Sequence, residues 1–234
     1  MSATRFDRLR EQLVESELRR LGITDEAVLH AMRLVPREAF VADDLREFAY
    51  RNSPLPIGRG QTISQPLVVA HMAEALELEP DDRVLEIGAG SGYAAAVLSR
   101  LAKYVITIER HGDLADAARE RLGRLHYDNV RVISGDGTLG CPADAPFDAI
   151  VVAAAGPQIP PALLEQLKVG GRLVIPIGKD DDSQRLVRAV RRGEDDFEYD
   201  DLGAVRFVPL IGLPEDRPTK NGEPTATSGP RTDP

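Results

Sequence analysis

The fold class follows from the segment Val84-Leu85-Glu86-Ile87-Gly88-Ala89-Gly90-Ser91-Gly92. Its first four residues predict a short buried strand, and the glycines predict a tight turn into a helix that starts near Tyr93. In such a turn the backbone can approach a ligand closely, and the first amides of the helix are unpaired. The dinucleotide pattern G-x-G-x-x-G is not met, because Tyr93 holds its last position. Taken alone, the loop fits either a ligand site or an ordinary strand-to-helix turn.

Strand and helix patterns alternate on the carboxyl side of this loop. Alternation of this kind predicts βαβ units and a mostly parallel sheet that is buried on both faces. Two further strands, at 186–190 and 204–210, are predicted as an antiparallel edge pair. The fold class is therefore α/β, with a doubly wound sheet and helices on both faces. The predicted core strands cover 84–87, 105–109, 130–134, 148–152 and 172–177, and the helices between them cover 93–101, 114–125 and 161–167.

The part of the chain before the glycine loop predicts helices rather than strands. Leucines at helical spacing indicate amphipathic helices over 6–21 and 25–34. Residues 40–62, which hold several prolines and glycines, predict a long loop, and long loops in compact domains are usually functional. Helical spacing returns over 64–78.

Three segments follow from this pattern. Residues 1–80 form the N-terminal helices with the long loop, and residues 81–212 form the α/β core of the same domain. Residues 213–234 contain five prolines among small polar residues and predict a disordered tail.

Composition excludes several classes of protein. The 234 residues carry 29 Lys and Arg against 38 Asp and Glu, a net charge of −9, which disfavours nucleic acid as a partner. No apolar run approaches the roughly 20 residues of a membrane helix, and the N-terminus lacks the apolar core of a signal peptide. One cysteine, Cys141, and four histidines do not build a common zinc site. We therefore expect a cytoplasmic, monomeric protein that binds neither metal, membrane nor nucleic acid.

Acidic residues end the second and third core strands. A carboxylate at Glu109 can accept hydrogen bonds from both hydroxyls of a ribose in the crevice at the carboxyl ends of the strands. Asp136 can accept a hydrogen bond from an adenine amine, and Gly137 lets the ring lie close. The alternative is a solvated acid at a strand end, which Arg110 beside Glu109 also fits. Together with the glycine loop, the acids predict a ligand that contains a nucleoside.

Two motifs resemble known families. The spacing G-x-G-x-G with Glu86 ahead of it resembles motif I of the Rossmann-like S-adenosylmethionine-dependent methyltransferases. The more specific motif is Leu55-Pro56-Ile57-Gly58-Arg59-Gly60-Gln61-Thr62-Ile63-Ser64-Gln65-Pro66, which resembles the signature of protein-L-isoaspartate O-methyltransferases, enzymes that methylate isoaspartyl residues in damaged proteins. Further matches in order extend the resemblance to about residue 211: Val35-Pro36-Arg37-Glu38, Phe40-Val41, Ala49-Tyr50, Gly135-Asp136-Gly137, Pro146-Phe147-Asp148, Gln166-Leu167, Gly170-Gly171, Pro176-Ile177-Gly178 and Phe207-Val208-Pro209-Leu210.

The chain departs from the family pattern at two positions. Ala89 stands where Thr or Ser is common, and Arg51 stands where an acidic residue is common. We expect Ala89 to be tolerated, because backbone amides do most of the binding in such loops. Arg51 is a candidate for altering which peptides are accepted.

The resemblance implies an S-adenosylmethionine-dependent methyltransferase fold and assigns roles to individual residues. Ser64 is implied as the catalytic hydroxyl, although its place before a helical run also fits a helix N-cap. The strand over 205–208 is implied to offer main-chain groups to the peptide, and an ordinary strand is the alternative. The implied cofactor-binding residues are Gln61, Thr62, Ile63, Ser64, Glu86, Gly88, Ala89, Gly90, Glu109, Asp136 and Gly137, and the implied substrate-binding residues are Pro56, Ile57, Val205, Phe207 and Val208.

Isoaspartyl peptides and proteins are the implied substrates, with S-adenosylmethionine as methyl donor. One alternative is an enzyme that methylates a normal aspartate in a modified peptide precursor. Others are a methyltransferase of the same fold for a nucleic acid or small molecule, and a non-catalytic nucleoside-binding module.

Overall fold

The computed structural model describes residues 4–178 and 183–212. The predicted tail at 213–234 lies outside the described residues. The helices are α1 (Arg5–Leu13), α2 (Glu26–Leu34), α3 (Pro66–Ala75), α4 (Tyr93–Leu98), α5 (Gly112–Arg124) and α6 (Pro161–Glu165). The strands are β1 (Leu55–Gly58), β2 (Gln61–Ile63), β3 (Arg83–Ile87), β4 (Tyr104–Glu109), β5 (Val130–Ser134), β6 (Phe147–Val152), β7 (Leu167–Ile177), β8 (Arg185–Arg191) and β9 (Phe197–Ala204).

A seven-stranded sheet in the order β5-β4-β3-β6-β7-β8-β9 forms the centre of the molecule. The pairs from β5 to β7 are parallel, as the alternating pattern predicts. Strand β3 lies between β4 and β6, with Ile87 beside Ile108 on one side and Val152 on the other. These strands are buried on both faces because their sequences are nearly continuous apolar runs.

The carboxyl-terminal edge differs from the prediction. Strands β8 and β9 do form an antiparallel pair, but β9 ends at Ala204, so the predicted strand at 204–210 is wrong. The segment FEYDDLGA in β9 is rich in acids and lacks the apolar run of a core strand, because it lies at the exposed edge of the sheet. The chain after Ala204 crosses instead toward β6, where Ala155 donates to the Val208 carbonyl at 2.8 Å.

The predicted long loop at 40–62 contains regular structure. Two 3₁₀ turns occupy Arg37–Phe40 and Asp43–Phe48, and β1 and β2 form an antiparallel hairpin. Its tip has three successive residues with positive φ: Gly58 (96°), Arg59 (54°) and Gly60 (69°). Glycine adopts this conformation at little cost, which allows the tight tip.

The N-terminal helices pack on the sheet through one hydrophobic cluster that includes Leu29, Phe40 and Leu76 together with Val84 and Val105 of the sheet. Helix α1 continues into a π-helical turn at Val14–Leu18. None of the described helices is long and apolar enough to cross a bilayer.

Candidate active site

A pocket opens at the carboxyl ends of β3, β4 and β6, where the strand order changes direction. Ligands of open α/β sheets bind at such a switch point. Its empty space is about 920 Å³, open solvent at the mouth included, which suits a small molecule. The lining comes from residues 61–64, 87–91, 108–111, 153–154 and 208–211, with Val69, Tyr93, Ala94 and Gly137. We refer to it as the main pocket.

Glu109 joins the end of β4 to the glycine loop. Its Oε2 accepts the Gly90 amide at 2.9 Å and its Oε1 accepts the His111 amide at 3.0 Å. The residue is 5% exposed and lines the main pocket. A carboxylate oxygen has two lone pairs, so each oxygen can still accept a hydroxyl of a ligand.

Gly137 lines the main pocket, and a steric contact that the sequence does not reveal explains why this residue is glycine. A Cβ at this position would come within 2.2 Å of Ile87 Cγ2, so only glycine fits without displacement. The neighbouring Asp136 is not among the residues that line the pocket. Its Oδ1 accepts the Thr138 amide at 2.8 Å and the Thr138 hydroxyl at 2.7 Å, and so starts the turn that places Gly137.

The β1–β2 hairpin forms one wall of the main pocket. Gln61 to Ser64 line the pocket, whereas Pro56 is exposed. Ile57 Cδ1 lies 3.1 Å from the position that a Cβ on Gly90 would occupy, so the hairpin packs against the glycine loop. At the tip, Arg59 Nε lies 2.6 Å from Asp113 Oδ2 at the start of α5.

Ser64 occupies the two-residue junction between β2 and α3. The residue that caps α3 is Gln65, so the N-cap interpretation of Ser64 does not hold. Within the part of the chain that the structure describes, the Ser64 hydroxyl forms no hydrogen bond, and the half-buried side chain lines the pocket. Its carbonyl accepts a hydrogen bond from Arg37 Nη2 at 2.8 Å.

Glu86 lines a smaller cavity that shares Ser64 and Val69 with the main pocket. Its side chain accepts a hydrogen bond from the Thr107 hydroxyl through Oε2, whereas Oε1 is buried without a partner among the described residues. Glu86 is 1% exposed, and burial raises the pKa of its carboxyl to about 8. Burial therefore favours the protonated form of this side chain in the folded protein.

The segment 205–211, which follows β9, lines the main pocket only with residues 208–211. Val208 lines the pocket, as do residues 209–211. Phe207 is 8% exposed, and Gln184 occupies its main chain by accepting from the amide at 2.6 Å and donating to the carbonyl at 3.1 Å. The Val205 amide donates to the Gln184 carbonyl. Val205 and Phe207 thus lie beside the pocket wall rather than in it.

A family comparison agrees with this geometry. The model of the protein-L-isoaspartate(D-aspartate) O-methyltransferase (PCMT) family matches residues 8–215. The chain belongs to this family. The predictions of the family, of the methyltransferase fold and of S-adenosylmethionine-dependent O-methyltransferase activity are therefore confirmed.

Individual relatives match most of the chain. Protein-L-isoaspartate O-methyltransferase 2 of Pelobacter propionicus is 59% identical over 87% of this chain and 90% of its own length. The protein-L-isoaspartate O-methyltransferase of Methanoculleus marisnigri is 54% identical over 91% of this chain and 96% of its own. A solved structure from Plasmodium falciparum, described as a protein of this family in complex with S-adenosyl-L-homocysteine, superposes with a TM-score of 0.74 at 29% identity, covering 86% of this chain and 98% of the other.

Several residues of this methyltransferase site are not found by sequence reasoning. His111, whose charged neighbours suggest a solvated side chain, lines the main pocket, as do Leu210 and Ile211. Arg37 lies in a matched motif, Val35-Pro36-Arg37-Glu38, but the motif does not reveal that the side chain is buried. Only the proximity of distant segments identifies these residues.

Glu109→Gln is expected to weaken binding of S-adenosyl-L-homocysteine by about 10- to 100-fold. The amide group of glutamine places N–H groups against one of the two backbone N–H donors, and a hydrogen bond to a charged group contributes roughly 1.5–3 kcal/mol. Isothermal titration measures the affinity, with Glu120→Gln on the exposed face of α5 as the matched control. An affinity within twofold of the wild type would show that Glu109 does not organise this pocket.

Arg59→Glu is expected to lower the affinity for S-adenosyl-L-homocysteine by only about two- to fivefold, since exposed ion pairs contribute little. Adding Asp113→Lys should recover most of the loss, and high salt should shrink the difference between wild type and Arg59→Glu. Titrations at two salt concentrations measure both effects. A double variant weaker than both single variants would show that the pair does not hold the hairpin.

Proposed function

We propose that this protein transfers the methyl group of S-adenosylmethionine to the free carboxylate of L-isoaspartyl residues in damaged proteins. The observation that carries the proposal is the main pocket, in which the hairpin residues Gln61 to Ser64 face the glycine loop and Glu109. Membership of the isoaspartate methyltransferase family supports the choice of substrate.

The residues of the main pocket fit a nucleoside-containing methyl donor. Glu109 offers carboxylate oxygens at the end of β4, and Gly137 lines the pocket at a position where a Cβ would collide with Ile87. Gly88 and Gly90 line the same space, and without side chains they let a ligand approach the backbone closely. When bound there, S-adenosylmethionine supplies a methyl group that its sulfonium charge has already activated.

The chain itself needs no general base for this reaction. A carboxylate is ionised at neutral pH and is already a nucleophile. The protein has to place it in line with the methyl group and to exclude water. We assign the placement to Ser64, whose hydroxyl can donate a hydrogen bond to the acceptor carboxylate without neutralising it as a cation would. The hairpin and residues 208–211 form the walls that exclude water.

Repair follows from the chemistry of the product. The methyl ester carries a better leaving group than the free carboxylate. The nitrogen of the neighbouring backbone amide can therefore attack the ester carbonyl without the enzyme, and the succinimide closes as methanol leaves with the amide proton. Hydrolysis of the succinimide returns a share of normal aspartate.

Two short peptides test the proposal, one with isoaspartate and one with aspartate at the same position. With labelled S-adenosylmethionine we expect base-labile methyl incorporation into the isoaspartyl peptide alone. Incorporation into neither peptide by a protein that binds S-adenosyl-L-homocysteine would contradict the proposal. It would favour a dedicated precursor peptide or a binding module.

We further propose that the protein acts as a cytoplasmic monomer without nucleic-acid or membrane partners. The net charge of −9 supports the absence of a nucleic-acid partner. Sedimentation of the purified chain measures the oligomeric state.

A further inference from the structure

Arg37 is a fully buried arginine in the wall between the N-terminal helices and the active site. Its side chain is 0% exposed. Nε donates to the Ala49 carbonyl at 2.9 Å, and Nη2 donates to the Ser64 carbonyl at 2.8 Å. The guanidinium carbon lies 4.7 Å from the centroid of the Tyr93 ring. Nη1 is buried without a hydrogen-bond partner among the described residues.

The burial of this charge is energetically unfavourable. A buried cation costs free energy unless it is paired and hydrogen-bonded. Within the described residues Arg37 forms no ion pair, and its contacts are two carbonyls and the Tyr93 side chain. Burial accordingly lowers the pKa of the guanidinium from its usual value. An apolar side chain would fill the same volume without this cost, so the hydrogen bonds are the feature that distinguishes arginine here.

The main chain at Ser64 needs such a hydrogen bond because regular structure ends on both sides of it. The hairpin ladder ends with the pairing of Leu55 and Ile63, and α3 begins at Pro66. Gln65 gives α3 no side-chain cap. Tertiary contacts hold the junction instead, with Asn52 Oδ1 accepting the Leu67 amide at 3.0 Å and Arg37 donating to Ser64.

We propose that Arg37 is a positioning residue that sets the direction of the Ser64 hydroxyl by hydrogen-bonding the Ser64 main chain. The Tyr93 ring, at the start of α4, packs against the guanidinium and holds it in place. The inference rests on the proposed function, in which Ser64 orients the acceptor carboxylate. Arg37 acts through Ser64 and is not among the residues that line the main pocket.

A double-mutant cycle separates positioning from general stability. Arg37→Lys keeps a nitrogen donor on a long side chain but loses the fixed geometry of the guanidinium. In the wild-type background it should lower kcat about tenfold or more, while KM for S-adenosylmethionine and affinity for S-adenosyl-L-homocysteine stay within about threefold. In the Ser64→Ala background the same change should alter kcat less than about twofold, because the hydroxyl that Arg37 positions is gone. Arg100→Lys is the matched control, since Arg100 lies 4.6 Å from the centroid of the Tyr127 ring and its side chain is exposed.

Each remaining outcome has a distinct meaning. If the kcat of the double variant equals the product of the separate effects of Arg37→Lys and Ser64→Ala, the inference is wrong and the proposed function stands. If the wild type methylates no isoaspartyl peptide, the proposed function fails. If the wild type is active and Ser64→Ala is equally active, the role of Ser64 fails and the inference with it. If neither Arg37→Lys nor Arg37→Gln binds S-adenosyl-L-homocysteine, Arg37 serves the fold as a whole and the inference is overturned.

Discussion

Ser64→Ala is expected to lower kcat for an isoaspartyl peptide by roughly 10²- to 10³-fold, the loss typical of removing one preorganised hydrogen-bond donor from an active site. Ser64 lines the main pocket opposite the glycine loop, and its hydroxyl forms no hydrogen bond to the described part of the protein. Donation to the acceptor carboxylate is the role that this position allows. Affinity for S-adenosyl-L-homocysteine should change less than about threefold.

Steady-state kinetics with a saturating isoaspartyl peptide measure this effect. Ser64→Thr keeps a hydroxyl and should retain more activity than Ser64→Ala. Ser53→Ala, ahead of the hairpin and outside the main pocket, is the control. A kcat for Ser64→Ala within threefold of the wild type would remove the hydroxyl from the proposed mechanism.

Glu86→Gln is expected to stabilise the ligand-free protein at pH 8 by an amount of the order of 3 kcal/mol, and far less at pH 5. Burial raises the pKa of Glu86 to about 8 in the folded protein, from its ordinary value of 4.5. Between these values the unfolded chain releases the proton while the folded protein keeps it. The contribution of this group to the free energy of unfolding therefore decreases as pH rises from about 4.5 to about 8. Glutamine has no such proton to lose.

Urea unfolding of both proteins at pH 5, 6, 7 and 8 gives the difference in free energy of unfolding. The exposed residue Glu194 supplies the control variant Glu194→Gln. A difference between wild type and Glu86→Gln that stays constant with pH would mean that Glu86 is ionised in the folded protein. Its carboxyl would then have a counter-charge or water that the protein contacts do not reveal.

The amino-acid sequence predicts the sheet and the position of the ligand well. Core strands such as β3 and β6 are mostly apolar, and their burial on both faces follows from that composition. The glycine loop and Glu109 follow successive strands, and parallel strands bring their carboxyl ends to one edge of the sheet. The loop motif at 55–66 identifies the family by its residues alone.

Contacts between distant segments decide the features that sequence patterns miss. Residues 197–204 form an edge strand because β8 pairs with them, although their composition is acidic. Gln184 hydrogen-bonds the amide and the carbonyl of Phe207, whereas the next residue, Val208, lines the pocket.

The fold class, the family and the cofactor loop can therefore be predicted from the amino-acid sequence, since they depend on local periodicity and on residue identity. Tertiary structure alone decided that Arg37 holds Ser64, 27 residues away, and that Glu86 is buried with an unpaired oxygen. Burial and hydrogen-bond partners depend on what the rest of the chain packs against each residue, and no local pattern encodes that environment.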